Sequence, residues 1–128
     1  MPRISFQTAN YVARESGYAL EPFNWGTAAQ ATVEAFHGPR FGEKFDELCR
    51  LVRGAGFSYI DLWVAHLDPA AATPAMVSEA VAILRQHELT VVAYTAGLGR
   101  PNLPLADAEK VYQTARAIGA PVLGVGLH

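Results

Sequence analysis

The stretch Ser58–Pro69, SYIDLWVAHLDP, holds the side chains with the clearest chemical capacity in the chain. Apolar, aromatic and β-branched residues run up to a histidine and an aspartate, and a proline closes the run. That is the pattern of a buried strand ending on a functional rim. His66 is the best single candidate for a catalytic group, because a rim imidazole can act as acid, base or metal ligand near neutral pH. A hydrogen-bonded strand end of structural use is the competing reading of the same residue. His66 and His128 together could ligate a divalent metal. Two histidines fall short of a complete site, however, and no carboxylate pair with ligand spacing accompanies them. The Gly-Leu-Gly at 97–99 is not a dinucleotide fingerprint, since the following Arg100-Pro101 does not open a helix. No P-loop, nucleophile elbow or CxxC occurs.

These groups need elements to hold them. Ile4–Val12 reads as a first strand with loose alternation. From Arg14 to Arg40 the periodicity fails, and glycines and prolines mix with Tyr18, Phe23, Trp25 and Phe36. Thr27 could cap a short helix, AAQATVEAF, inside this segment. A connection this long suits a lid or binding loop, or a loop whose aromatics simply pack onto the end of the fold. Phe41–Arg53 then predicts an amphipathic helix. Phe41, Phe45, Leu48, Cys49 and Val52 form its apolar stripe, and Glu43, Lys44, Asp46, Glu47 and Arg50 face outward. Gly54 and Gly56 end it.

A strand over 58–66 follows, and then Thr73 and Pro74 supply the cap and first position of a second helix. Its stripe is Met76, Val77, Ala80, Ile83, Leu84 and His87. Thr90–Thr95 is a short strand. Asp107 caps a third helix with Ala108, Val111, Tyr112, Ala115 and Ile118 inward, and Pro121–Leu127 forms the last strand.

The helix-to-strand junctions repeat. Arg53, Arg85 and Arg116 are 32 and then 31 residues apart, and Gly56, Glu88 and Gly119 keep the same intervals. Units of this length require parallel strands and right-handed crossovers, so the fold class is α/β. Two architectures fit. One is a (β/α)8 TIM-barrel type, which takes about 250 residues for eight units. On that count residues 1–128 are a single domain of about four βα units, a half barrel. The other is an open four-stranded parallel sheet, flavodoxin-like. In both, functional groups gather at the carboxyl ends of strands, which selects Thr8, Asn10, Trp63, His66, Asp68, Tyr94, Thr95 and His128. Asp61, in mid-strand, is expected to point into a barrel or to pair with a neighbour. A half barrel leaves two unpaired edges, so the chain is expected to be a fragment of a longer protein or to self-associate. The stop directly on a strand end at His128 favours the fragment.

Composition narrows the partners. Hydrophobic content of 51% and charged content of 17% suit a folded core, and a net charge of −2 gives no basic footprint for nucleic acid or an anionic membrane. No apolar run approaches about 18 residues, and the N-terminus lacks a signal-type apolar region. A lone Cys49 excludes an intramolecular disulfide and suits a reducing compartment, so a cytoplasmic soluble protein is expected.

Several stretches together resemble the N-terminal half of the sugar phosphate isomerase/epimerase family, the xylose isomerase-like TIM barrels. They are ISFQTANYVARESGY, GFSYIDLWVAHLDP, ATPAMV, LTVVAYTAGLG and AIGAPVLGVG, spanning nearly all of the chain. The resemblance implies carbohydrate metabolism: metal-assisted proton transfer between adjacent carbons of a small sugar or sugar phosphate. It implies a divalent metal (Mn, Mg or Zn) at the mouth of a full-length barrel. The family's metal ligands and proton-transferring carboxylates come mainly from later strands, so no metal ligand carries over and the chain alone is expected to bind none and to be inactive. What the resemblance leaves on the substrate side is Gln7, Asn10, Trp25 and Tyr94, with His66. Two other readings compete: a non-catalytic half barrel that works by self-assembly or partner binding, and phosphodiester hydrolysis as in apurinic-site endonucleases. The acidic balance argues against the last.

Overall fold

In β2, Tyr59–Trp63, the first four side chains alternate between half-buried and fully buried, and this alternation sets the two faces of the sheet. A computed structural model of the chain describes residues 3–19, 21–98 and 108–127. It is an α/β fold with one four-stranded sheet in the order β1-β2-β3-β4, where β1 is Ser5–Gln7, β3 is Thr90–Leu98 and β4 is Leu123–Leu127. All three pairings are parallel. A flavodoxin-like order would place β1 between β2 and β3. Here β2 pairs directly with β3, so that order is corrected and the strands follow the chain without reversal.

Ile60, Leu62, Val91, Tyr94 and Ala96 lie on the core side with exposures of 0–5%. Against them pack α2 (Phe41–Gly54), α3 (Pro74–Gln86) and α4 (Ala108–Ala117). The α2 stripe is buried as its spacing predicts: Phe41, Phe45, Leu48, Cys49 and Val52 are each at most 2% exposed. Burial raises the Cys49 thiol to about 12, with Asp46 adding to the effect, so Cys49 is a packing residue. Thr73 caps α3 by accepting the Met76 N–H, and Pro74 takes the first position. His87 ends α3 and reaches across to Asp46 of α2, Nε2 to Oδ1 at 2.7 Å.

Five expectations change. The first strand stops at Gln7 rather than Val12, because the chain tightens into a 3₁₀ turn at Thr8–Tyr11. The second strand gives way at Val64–His66 to another 3₁₀ turn, whereas β3 continues past Thr95 to Leu98. In the segment read as loop, α1 spans Trp25–Phe36 and Asn24, not Thr27, is the cap: its side chain accepts the Thr27 N–H at 2.9 Å. Tyr112 is 55% exposed, and Val111, Thr114, Ala115 and Ile118 supply the buried face of α4 and its end. One residue is 100° of helix, which carries Tyr112 off the stripe that Val111 begins. The cap assigned to Asp107, and Gly99, Arg100, Pro101 and His128, lie outside the described residues.

The segment after β1 is tied down rather than loose. Arg14 pairs with Glu47 and Lys44 with Glu15 at 2.7 Å, which bolts the Arg14–Ser16 turn onto α2.

The repeat has a structural cause. Gly56, Glu88 and Gly119 all adopt positive φ, at 96°, 54° and 74°. Each follows a helix and closes it with the same two bonds. Phe57 N–H donates to Val52 O, Leu89 N–H to Leu84 O and Ala120 N–H to Ala115 O, while the left-handed residue itself donates three positions back. Glu88 alone carries a Cβ there. Glu88→Gly is expected to raise stability by about 1 kcal/mol, read as a higher urea midpoint at unchanged slope.

Candidate functional site

The carboxyl end of β2 is organised by a threonine from β1's end. Thr8 is fully buried, and its hydroxyl oxygen accepts the Trp63 N–H at 2.9 Å. The same hydroxyl meets His66 Nδ1 at 2.9 Å. The imidazole packs edge-on against Phe36 (4.8 Å between centroids) and Trp63 (5.5 Å) and is 1% exposed. Burial pushes its pKa down to about 3, with smaller contributions from the charges of His37, Arg14 and Lys44. At neutral pH His66 is therefore an uncharged, sealed imidazole, and proton exchange with a ligand would require it to be uncovered. Asp68, also 1% exposed, accepts the Ala70 N–H on its carboxylate. Its own N–H donates to His37 Nε2 at 2.8 Å. That bond leaves Nε2 without a proton, so Nδ1–H of His37 is the donor to Val33 O. Burial lowers the His37 pKa, opposed by the Val33 bond and by Asp68.

One of the sequence candidates leaves the mouth. Tyr94 points to the helix side, where its ring is fully buried and its hydroxyl donates to Leu67 O. The reason is an irregularity in register between Ile60 and Asp61: Ile60 pairs with Val91, but Asp61 pairs with Ala93. The extra residue, Val92, turns Tyr94 into the core and brings Thr95 to the opposite face. His128 lies outside the described residues, so the His66–His128 pair has no geometry.

The open face of the sheet collects the others. Asp61, half-buried in β2, accepts the Thr95 hydroxyl on Oδ1 at 2.9 Å and faces Gln7 Nε2 from Oδ2 at 3.4 Å. Asn10 donates to Gln7 O at 2.9 Å, and both side chains are exposed. Two residues further along the same face of β2 is Trp63, met edge-on by Trp25 at 6.2 Å, with Phe23 beyond at 5.5 Å. Trp25 is 58% exposed. A polar row flanked by an aromatic wall thus runs from the end of β1 across the middle of β2 and β3. No family model, curated protein or solved structure matches the chain.

Sequence reasoning placed Gln7, Asn10 and Trp25 together and left out Asp61 and Thr95 as partners of one another. The alternation within YIDLW, which sets Asp61 and Trp63 on one face, is the signal that finds them. The metal implied by the family resemblance finds no fit here. Among the described residues no three His, Cys, Asp or Glu side chains come together as ligands. Nor is any helix among them long and apolar enough to cross a membrane.

Proposed function

We propose that this chain forms the substrate side of a sugar or sugar-phosphate isomerase/epimerase of the (β/α)8 TIM-barrel type. The observation that carries the reading is the row Gln7–Asp61–Thr95 across parallel strands, beside Trp25 and Trp63, the last of these at the carboxyl end of β2. Hydroxyls bond to the row, and the apolar face of a sugar ring stacks on the face of an aromatic ring. Strands that follow the chain in parallel order agree with a barrel segment. The contribution of these residues is to hold the ligand in place while an acid and a base move a proton between neighbouring carbons. Saturation-transfer NMR with a panel of ketoses, aldoses and their phosphates tests binding, and deuterium uptake from D2O beside the carbonyl tests chemistry. Binding of at least one sugar, weakened by Trp25→Ala, is expected. No binding across the panel sinks the proposal.

A second reading, a half barrel acting through self-assembly or partner binding, is favoured by apolar exposure beside both sheet edges. Ile4 is 67% exposed next to β1, and Leu123 and Val125 are 36% and 42% exposed on β4. Such residues beside unpaired strands are association surfaces. Light scattering on the same samples separates the readings: a dimer without sugar binding supports this one, and a monomer removes its self-assembly form.

A further inference from the structure

We infer that Asp61 is the specificity-determining group of the open sheet face, selecting the uncharged, polyhydroxylated part of the ligand. The inference rests on the sugar reading above and deepens it. A carboxylate offers about four lone-pair positions, and the Thr95 hydroxyl and the Gln7 amide use two. Among the described residues no ion pair reaches Asp61. Arg3, near the start of β1, lies over the Tyr59 ring at 5.4 Å instead. Among the described residues Asp61 is therefore a half-buried carboxylate held by neutral donors alone, with accepting capacity left over on the sheet face opposite α2, α3 and α4.

A half-buried charge in that position is stabilised by further donors. Two adjacent hydroxyls of a sugar supply short, charge-assisted O–H···O⁻ bonds, and a phosphate supplies repulsion. The orientation follows: hydroxyls meet Asp61, the ring lies toward Trp63 and Trp25, and any anionic group is turned away. The neighbouring strand keeps this geometry. A Cβ at Gly124 would stand 3.3 Å from Thr95 Oγ1, so glycine leaves the Thr95 hydroxyl room to aim at Asp61.

The test is calorimetry on the full 128-residue chain with D-fructose, D-fructose 6-phosphate, inorganic phosphate and Mn²⁺ as separate titrants. Asp61→Asn is expected to weaken both sugars by about tenfold or more, the loss of bonds to a charged acceptor. Thr95→Val, which frees the carboxylate from its orienting hydroxyl, is expected to weaken them by a smaller factor. Inorganic phosphate alone is expected to bind no more weakly to D61N than to the parent. Sugar binding within twofold of the parent in D61N overturns the inference while leaving the broader proposal standing. Mn²⁺ binding to the parent that D61N abolishes overturns it in favour of a cation site. Failure of the parent to bind any sugar is the separate result that removes the functional proposal itself. If D61N does not fold, T95V and Gln7→Ala decide the matter: two unchanged affinities overturn the inference.

Discussion

Between pH 7 and pH 5 the protein is expected to lose about 2 kcal/mol of stability through His66 alone. The sign follows from the burial. In the fold the imidazole titrates near 3, against an ordinary value of 6.5, so the unfolded chain binds the extra proton first. His66 places no penalty on the fold above pH 6.5. Each pH unit below that costs about 1.4 kcal/mol until the folded group itself protonates. The groups around the ring do not reverse this, because the charges of His37, Arg14 and Lys44 push in the same direction as desolvation. His37, whose pKa is lowered too, adds a smaller slope of the same sign. Urea melts across this range should show a steep acid loss in the parent and a much shallower one in His66→Gln. Parallel curves for the two proteins would show that the imidazole gains a proton without opening the pocket, contrary to its packing between Phe36 and Trp63.

The contrast between α2 and β1 shows what local pattern can carry. In α2 a stripe at 3.6 spacing and terminal glycines lead to Phe41–Arg53, one residue short of the observed Phe41–Gly54. Every position of that stripe faces the core, so periodicity and tertiary packing agree. In β1 they conflict. Ile4–Val12 alternates well enough for a strand, but Thr8 is needed by Trp63 and His66, and satisfying those groups turns the chain at that residue. No window of nine residues contains that information, because the partners lie 55 and 58 positions away. The α1 start was hidden for a simpler reason. Trp25-Gly26 is a poor helix opening by propensity, and Asn24 overcomes it with a capping bond.

The site was legible by position and not by side. Choosing strand ends marks Asn10, Trp63 and Thr95, since parallel sheets present their carboxyl ends together, while Gln7 comes from the family resemblance. Which face each residue takes depends on register, and the shift opposite Ile60 and Asp61 inverts β3 beyond Val91. The run Val91–Tyr94 is apolar on both sides, so nothing in its composition announces the inversion. His66 shows the complementary limit. Its type and place mark a catalytic group, but whether it meets water is decided by Phe36, thirty residues earlier in a segment without readable periodicity.

Thr8→Val should be among the most damaging single substitutions in the chain despite conserving shape. The hydroxyl serves two buried groups at once, the Trp63 N–H and His66 Nδ1. Valine removes both bonds and admits no water, since Thr8 and Trp63 are 0% and 8% exposed. Each orphaned group costs about 1–3 kcal/mol, so a loss of about 2–6 kcal/mol is expected from urea melts at pH 7. Against a typical total of about 5–15 kcal/mol, that brings the fold close to its limit. Thr8→Ser keeps the oxygen and gives up only a methyl group, so it should recover most of the difference. Amide exchange at Trp63 adds a local readout: the parent and T8S should protect it, and T8V should not. A T8V protein within 1 kcal/mol of the parent would mean that the β2 end is held by its neighbours' packing alone. Asp61 and Trp63 would then owe their common face to the sheet register rather than to this clasp between the first two strands.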